Sequence, residues 1–197
     1  MSSAASPELA SQILAQGITV DLRNPEFSNN ILRTEQGGVV TGPNVRIQAR
    51  KIIYTRTIEN ELPVLMVEAE GDLILEFGEY MFVGDRLEYD FQEKTGILYN
   101  GRTGVGPWYF GGERIRLNSD GSYTIYDGFV TTSENYHIDW QISSTEATLV
   151  DHRYLSAKNV QFRFVSLPLL WIPSFKINLD SLSLSLSHVR SMLILSS

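Results

Sequence analysis

The chain has 197 residues, a net charge of −7 and no cysteine. That length allows one large domain or two small ones with a sizeable core, and the missing thiols exclude disulfides, zinc–thiolate centres and cysteine nucleophiles. The acidic balance, with Lys and Arg scattered rather than clustered, argues against a nucleic-acid partner.

Residues 1–6 are small and polar. Ser6-Pro7-Glu8 then supplies an N-cap, a proline suited to the first helical position and an acid for the first turn. With Leu9, Ile13 and Leu14 on one face, this predicts one short helix ending near residue 16. A first strand is expected over 18–22 and a loop over 24–30. No run of about 18 apolar residues occurs, so no membrane-spanning helix is expected. No basic and then apolar leader heads the sequence, so a cytosolic protein, or a mature or truncated form, is expected.

From residue 31 to about 164 the pattern is strand after strand. Gly37-Gly38, Gly42-Pro43-Asn44, Glu59-Asn60, Gly71-Asp72, Gly78, Gly101, Gly104 to Pro107, Asn118 to Gly121 and Asp127-Gly128 read as breaks between strands. They fall about 8–15 residues apart, the rhythm of an all-β sandwich or barrel. The best-defined unit is 82–100, FVGDRLEYDFQEKTGILYN. There Val83, Leu87 and Tyr89 are read as one apolar face, a charged turn ends in Gly96, and Ile97 and Tyr99 resume the alternation.

That unit recurs. Ala49-Arg50-Lys51-Ile52-Ile53-Tyr54, Gly84-Asp85-Arg86-Leu87-Glu88-Tyr89, Gly112-Glu113-Arg114-Ile115-Arg116-Leu117, Ser144-Thr145-Glu146-Ala147-Thr148-Leu149 and Ala157-Lys158-Asn159-Val160-Gln161-Phe162 superpose. Each has a small residue, a polar pair, an aliphatic, a variable residue and a final apolar residue. The first four recur at intervals near 30 residues, as stacked repeats do. The small residue fits a bend where strands corner together. Stacked copies predict an all-β jelly roll, a folded β-taco of antiparallel strands, with Ile52, Tyr54, Leu73, Leu75, Val83, Leu87, Tyr89, Ile115, Leu117, Val160 and Phe162 on its inner face. Those rows are either a packed core or the lining of an apolar slot.

The stretch GDRLEYDFQEKTGILYNGR, preceded by VEAEGDLIL, resembles the OstA-type domain of lipopolysaccharide-transport proteins. GSYTIYDGFVTT, Trp140-Gln141-Ile142, Ala157-Lys158-Asn159-Val160 and Leu167-Pro168-Leu169-Leu170-Trp171-Ile172-Pro173 follow in an order similar to one branch, the outer-membrane lipopolysaccharide-assembly (LptD) family. The resemblance covers about residues 39–176. It implies a periplasmic jelly roll, at the periplasmic face of the outer membrane, that holds acyl chains of lipopolysaccharide or a related lipid on the inner-face residues named above. It also implies end-to-end partnership with other OstA-type domains and an outer-membrane barrel or lipoprotein partner. An exposed edge over 47–53 is expected at the end-to-end junction. The sequence departs from the family twice. Thr131-Thr132-Ser133 stands where Thr-Thr-Cys is common, and only 177–197 remain where a long barrel would follow. That stretch alternates Leu and Ser over 181–187, like a single barrel strand. The expected organisation is therefore an N-terminal segment 1–30, a jelly roll 31–176 and a tail 177–197.

Catalytic readings are weak throughout. Glu68, Glu70 and Asp72 alternate along one strand face, as do Glu88 and Asp90, and a solvated face explains them better than an acid–base pair. Asp85 is read the same way. His137, His152 and His188 lack the short spacing of a metal site. Gly104-Val105-Gly106 leads into Pro107-Trp108-Tyr109-Phe110 rather than a helix, so it reads as a turn and not a phosphate cradle. A lipid conduit without catalysis, metal or cofactor is expected. The rivals are a β-rich adaptor with a filled core and, less favoured, a carbohydrate-active enzyme on a β-sandwich.

Overall fold

A computed structural model describes residues 17–59, 62–105, 108–132, 140–150, 154–165 and 167–178. Fourteen strands occupy them: β1 (Thr19–Leu22), β2 (Glu26–Ser28), β3 (Ile31–Thr34), β4 (Gly38–Gly42), β5 (Val45–Ala49), β6 (Lys51–Glu59), β7 (Leu62–Phe77), β8 (Tyr80–Asp90), β9 (Thr95–Val105), β10 (Trp108–Leu117), β11 (Tyr123–Thr131), β12 (Trp140–Val150), β13 (Tyr154–Phe164) and β14 (Leu167–Asn178). The all-β expectation holds, and no helix occurs among the described residues. The helix expected over 7–16 and the Leu–Ser segment 181–187 lie outside them. The expected loop 24–30 contains β2, which pairs with β3. The boundary expected at 176/177 falls inside β14, whose Ile177 and Asn178 still face Leu155 and Tyr154 of β13.

The strands fall into two units, one ending at Gly104 and the other starting at Val105, where the sequence suggested a single body over 31–176. In the first unit β1, β4, β5, β7, β8 and β9 lie side by side, and β2, β3 and β6 join on the N-terminal half of β7. β7 is long enough to serve two partners in succession, β6 along 62–70 and β5 along 74–77, while β8 runs along its other side. Residues 47–53 thus lie between β4 or β3 on one side and β7 on the other, so they do not form the exposed edge expected of them. In the second unit β10 to β14 form a plain antiparallel meander.

The recurrent sequence element is a corner. In a flat strand, inward residues are two apart. Here Ala49 and Ile52, Gly112 and Ile115, and Ala157 and Val160 are all buried though three apart, with two outward residues between each pair. Gly84, half-buried, and Leu87 repeat the pattern. Two residues of the same facing separated by three can share an interior only if the chain bends between them, so the copies on β8, β10 and β13 crease their strands and the first copy marks the passage from β5 to β6. Strands β7, β9 and β11 bend by placing a short polar residue in the left-handed region, Asp72 (φ 50°), Asn100 (φ 50°) and Asp127 (φ 49°), and on β13 Asn159 (φ 49°) does so within the copy itself. Asn and Asp tolerate that region because their side chains satisfy nearby polar groups. Asn100 donates to Asp85 Oδ2 at 2.8 Å, and Asn159 to Thr145 Oγ1 at 3.2 Å. Gly71-Asp72, Gly101 and Asp127-Gly128 therefore lie inside strands, where the sequence suggested breaks between them. Asn44 (φ 57°) and Gly78 (φ 60°) do stand in turns.

The first unit is filled by its own side chains. Thr34, Ile52, Ala69, Leu87 and Leu98 face one another across successive strands, and none is more than 4% exposed. Beyond the crease, Val40, Ile47, Leu75 and Phe82 form a second fully buried row. A third joins Leu32, Tyr54, Val67, Tyr89 and Gly96. Burial pushes both phenols above their ordinary value of 10.0. Arg56 opposes the effect at Tyr54, and Asp90 adds to it at Tyr89. Because the folded values lie above the unfolded one, this stabilisation is complete below about pH 10 and is lost as pH rises through the folded values. The first unit is expected to lose stability steeply above about pH 10, and the Tyr54→Phe, Tyr89→Phe variant to lose less, as urea unfolding at several alkaline pH values would read.

Candidate functional site

The residues expected on an inner face divide by unit. Ile52, Tyr54, Leu73, Leu75, Leu87 and Tyr89 all point inward and are sealed in the first unit's core. Val83 does not. It stands 49% exposed beside Met81 on the outer face, and its neighbour Phe82 takes the inward place. The crease at 84–86 is the reason: it shifts the inward positions of β8 from odd to even numbers, so an alternation counted from Leu87 and Tyr89 fails upstream of Gly84. Ile115 and Leu117 are fully buried in the second unit, Val160 is nearly so, and Phe162 is half-buried.

The register of the second unit extends these positions into rows that the sequence did not single out. On one side of the crease Phe110, Val130, Ile142, Phe162 and Leu170 stand opposite one another across five strands. On the other side Ile115, Ile125, Ala147, Ala157 and Phe175 form a second row, and Leu117, Tyr123, Leu149 and Leu155 a third. The rows between them belong to the opposite face and are largely polar: Arg114, Tyr126, Glu146, Lys158 and Ser174, then Arg116, Thr124, Thr148, Ser156 and Lys176. The second unit is thus a creased sheet, apolar on its inner face and largely polar on the other, where Phe129 and Trp171 are exceptions. Burial declines along it. Ile115 is fully buried, Ile125 and Phe162 half-buried, and Leu170 is 57% exposed. The spacing of three in the repeat was the available signal for these rows. Alternation alone misplaces every residue beyond a crease.

Three of the carboxylates weighed for chemistry, Glu68, Glu70 and Glu88, stand in ion pairs in the first unit. Glu68 and Glu88 stand directly opposite, and Arg86 lies 3.4 Å from Glu68 and 2.8 Å from Glu88. Lys51 pairs with Glu70 at 3.7 Å. Such exposed pairs contribute about 0–1 kcal/mol each. Their role is to relieve like charges that the register places side by side. Asp90 accepts from the backbone N–H groups of Gln92 and Glu93, which shapes the turn after β8. His137, His152 and His188 lie outside the described residues. No cluster of three potential metal ligands occurs among those described. A hollow at the β1, β4 and β5 end of the first unit, lined by Asp21, Arg23, Gln48, Arg50 and Asp72, is too polar for an acyl chain. Comparison of the chain with protein-family models and with curated proteins gave no match.

Proposed function

We propose that the chain handles lipid, and that the inner face of β10 to β14 is where acyl chains lie. The observation that carries this reading is the row Phe110, Val130, Ile142, Phe162 and Leu170, apolar across five strands and not sealed. Four steps of about 4.8 Å between strands give a strip roughly 19 Å long, suited to an extended hydrocarbon chain. Each methylene buried there contributes about 0.8 kcal/mol. A creased antiparallel sheet with an apolar inside also suits the OstA-like jelly roll suggested by the sequence motifs. On that reading the lipid is lipopolysaccharide or a relative, the setting is the periplasmic face of the outer membrane, and the partners are further OstA-type domains and a barrel or lipoprotein. The work is conveyance, without catalysis.

The rival, a β-rich adaptor with a filled core, draws support from the first unit, whose inner rows leave no room. The two readings part in a crosslinking experiment. A photo-reactive residue at Ile142 or Phe162 is expected to capture lipopolysaccharide or a lipid A analogue, and one at Ser143 or Gln161 on the opposite face is not. Equal capture from both faces, or none from either in folded protein, would leave the adaptor reading in front.

A further inference from the structure

The hairpin of β13 and β14 is unlike the rest of the molecule. Phe164, Val165, Leu167, Leu169, Leu170, Trp171 and Ile172 are all exposed, Leu167 to 66% and Trp171 to 57%. Consecutive residues of a strand point to opposite faces, so this segment is apolar on both sides. A protein partner laid on one face would leave the other face in water. An apolar medium surrounding the hairpin would not.

Three further observations narrow the occupant. The first is charge. Residues 154–178 contain Lys158, Arg163 and Lys176 and no acid, in a chain of net charge −7. Lys158 is held by Glu146 at 2.7 Å. Among the described residues Arg163 bonds only to the neutral amide of Gln161, at 2.9 and 3.2 Å, and Lys176 makes no ion pair. The second is the edge itself. β14 is the last strand of its unit's ladder among the described residues, and it carries Pro168 and Pro173. Each lacks an N–H, which blunts the edge against a strand added from a second copy. The third is backbone conformation. Val165, at the hairpin tip, has φ 44° and is 61% exposed. A β-branched residue in the left-handed region costs on the order of 1–3 kcal/mol, where Asn or Gly would sit with little strain. At 61% exposure, packing among the described residues does not require valine there.

We infer that the β13–β14 hairpin docks on the surface of an anionic lipid membrane. Phe164, Val165 and Leu167 enter the interface first, Trp171 anchors at headgroup level, and Arg163 and Lys176 meet the lipid phosphates. The depth is interfacial. The backbone groups that β14 leaves unpaired among the described residues exclude the hydrocarbon centre. This inference shares Leu170 with the acyl-chain reading but does not depend on it, because its test turns on Val165 and Arg163, which lie outside the inner row.

Flotation of the full chain with vesicles tests it. The wild type is expected to float with vesicles of mixed phosphatidylcholine and phosphatidylglycerol, and much less with phosphatidylcholine alone. Val165→Asn is the decisive variant, because it relieves the backbone. Its melting temperature should stay level or rise while its vesicle affinity falls by about tenfold, the effect of losing one buried apolar side chain. Arg163→Gln should lower affinity for the anionic vesicles by about fivefold and leave the weak neutral binding unchanged. Met81→Ser, on an exposed apolar position of the first unit, should change neither. The inference is overturned if the wild type stays with no vesicle, or if Val165→Asn floats as well as the wild type. It is equally overturned if the wild type self-associates without lipid and Trp171→Ser disperses it, since the hairpin would then be the seat of a second copy.

Discussion

Leu87→Asp is expected to unfold the first unit. Leu87 has no exposed surface, stands between Ala69 and Leu98 in register, and has Ile52 one strand further along the same row. The substitution removes the burial of a leucine, about 2–5 kcal/mol by itself. It also places a carboxylate where the described neighbours offer no cation, which adds several kcal/mol or forces the group to bind a proton. Together the loss is about 5 kcal/mol or more, comparable with the whole stability of an ordinary domain. Near-UV circular dichroism and urea unfolding should report loss of the native signal at neutral pH, with partial recovery in acid as the carboxylate is neutralised. Phe162→Asp provides the contrast. Phe162 is half-buried on an open row, so its carboxylate reaches water, and the protein should remain folded while capturing less lipid. A Leu87→Asp protein that melts like the wild type would mean that water reaches the row, and the first unit would then be open to lipid in its own right.

The sequence announced the strands clearly. β-branched and aromatic residues, turn residues at short intervals and the absence of a helical period leave little choice but antiparallel β. It also announced the rows of Ile52, Leu87, Ile115 and Val160, because each lies at the same place in the repeat. What it hid was the meaning of that place. A strand is read by alternation, and alternation assumes straightness. Each copy of the repeat bends, so positions before the small residue face the opposite way from an alternation projected back from the aliphatic. Val83 therefore faces outward and Phe82 inward, against the alternation. Polar residues in the left-handed region misled in the same manner. Asp72 and Asp127 have the chemistry of turns and stand at expected breaks, whereas the chain uses that chemistry to crease a strand that carries on. The division at Gly104 left no mark of its own, since the residues there resemble every other break in the sequence. The exposed hairpin shows in the sequence only as an apolar, proline-bearing segment. Its exposure depends on which strands lie beside it, and pairing is not written in local pattern.

If the creases hold the architecture, their tightest point should be the least forgiving. At Gly112 a β-carbon would lie 2.8 Å from the Tyr126 carbonyl oxygen, against Ile125 Cγ2, and 3.4 Å from the α-carbon of Gly128 on the facing strand. Two of these three neighbours are backbone, which cannot rotate away. At Gly84 the nearest group is Leu98 Cδ1 at 2.6 Å, the end of a side chain, with the Tyr99 carbonyl oxygen next at 3.0 Å. Gly112→Ala is therefore expected to destabilise the second unit by about 1–3 kcal/mol, the usual cost of forcing an extra carbon into a closely packed site. Gly84→Ala should cost the first unit less, because a leucine can change rotamer. Ile125→Ala, combined with Gly112→Ala, clears the side-chain contact but not the carbonyl oxygen, so it should restore only part of the loss. Ala157 and Ser144 already occupy the equivalent place on β13 and β12 with a β-carbon. The requirement at β10 is thus local to its contact with β11, and does not belong to the repeat as such. Urea midpoints for the single and double variants decide the matter. A Gly112→Ala protein as stable as the wild type would mean that β10 and β11 separate at the crease, and that the bend is held by the outward polar residues instead.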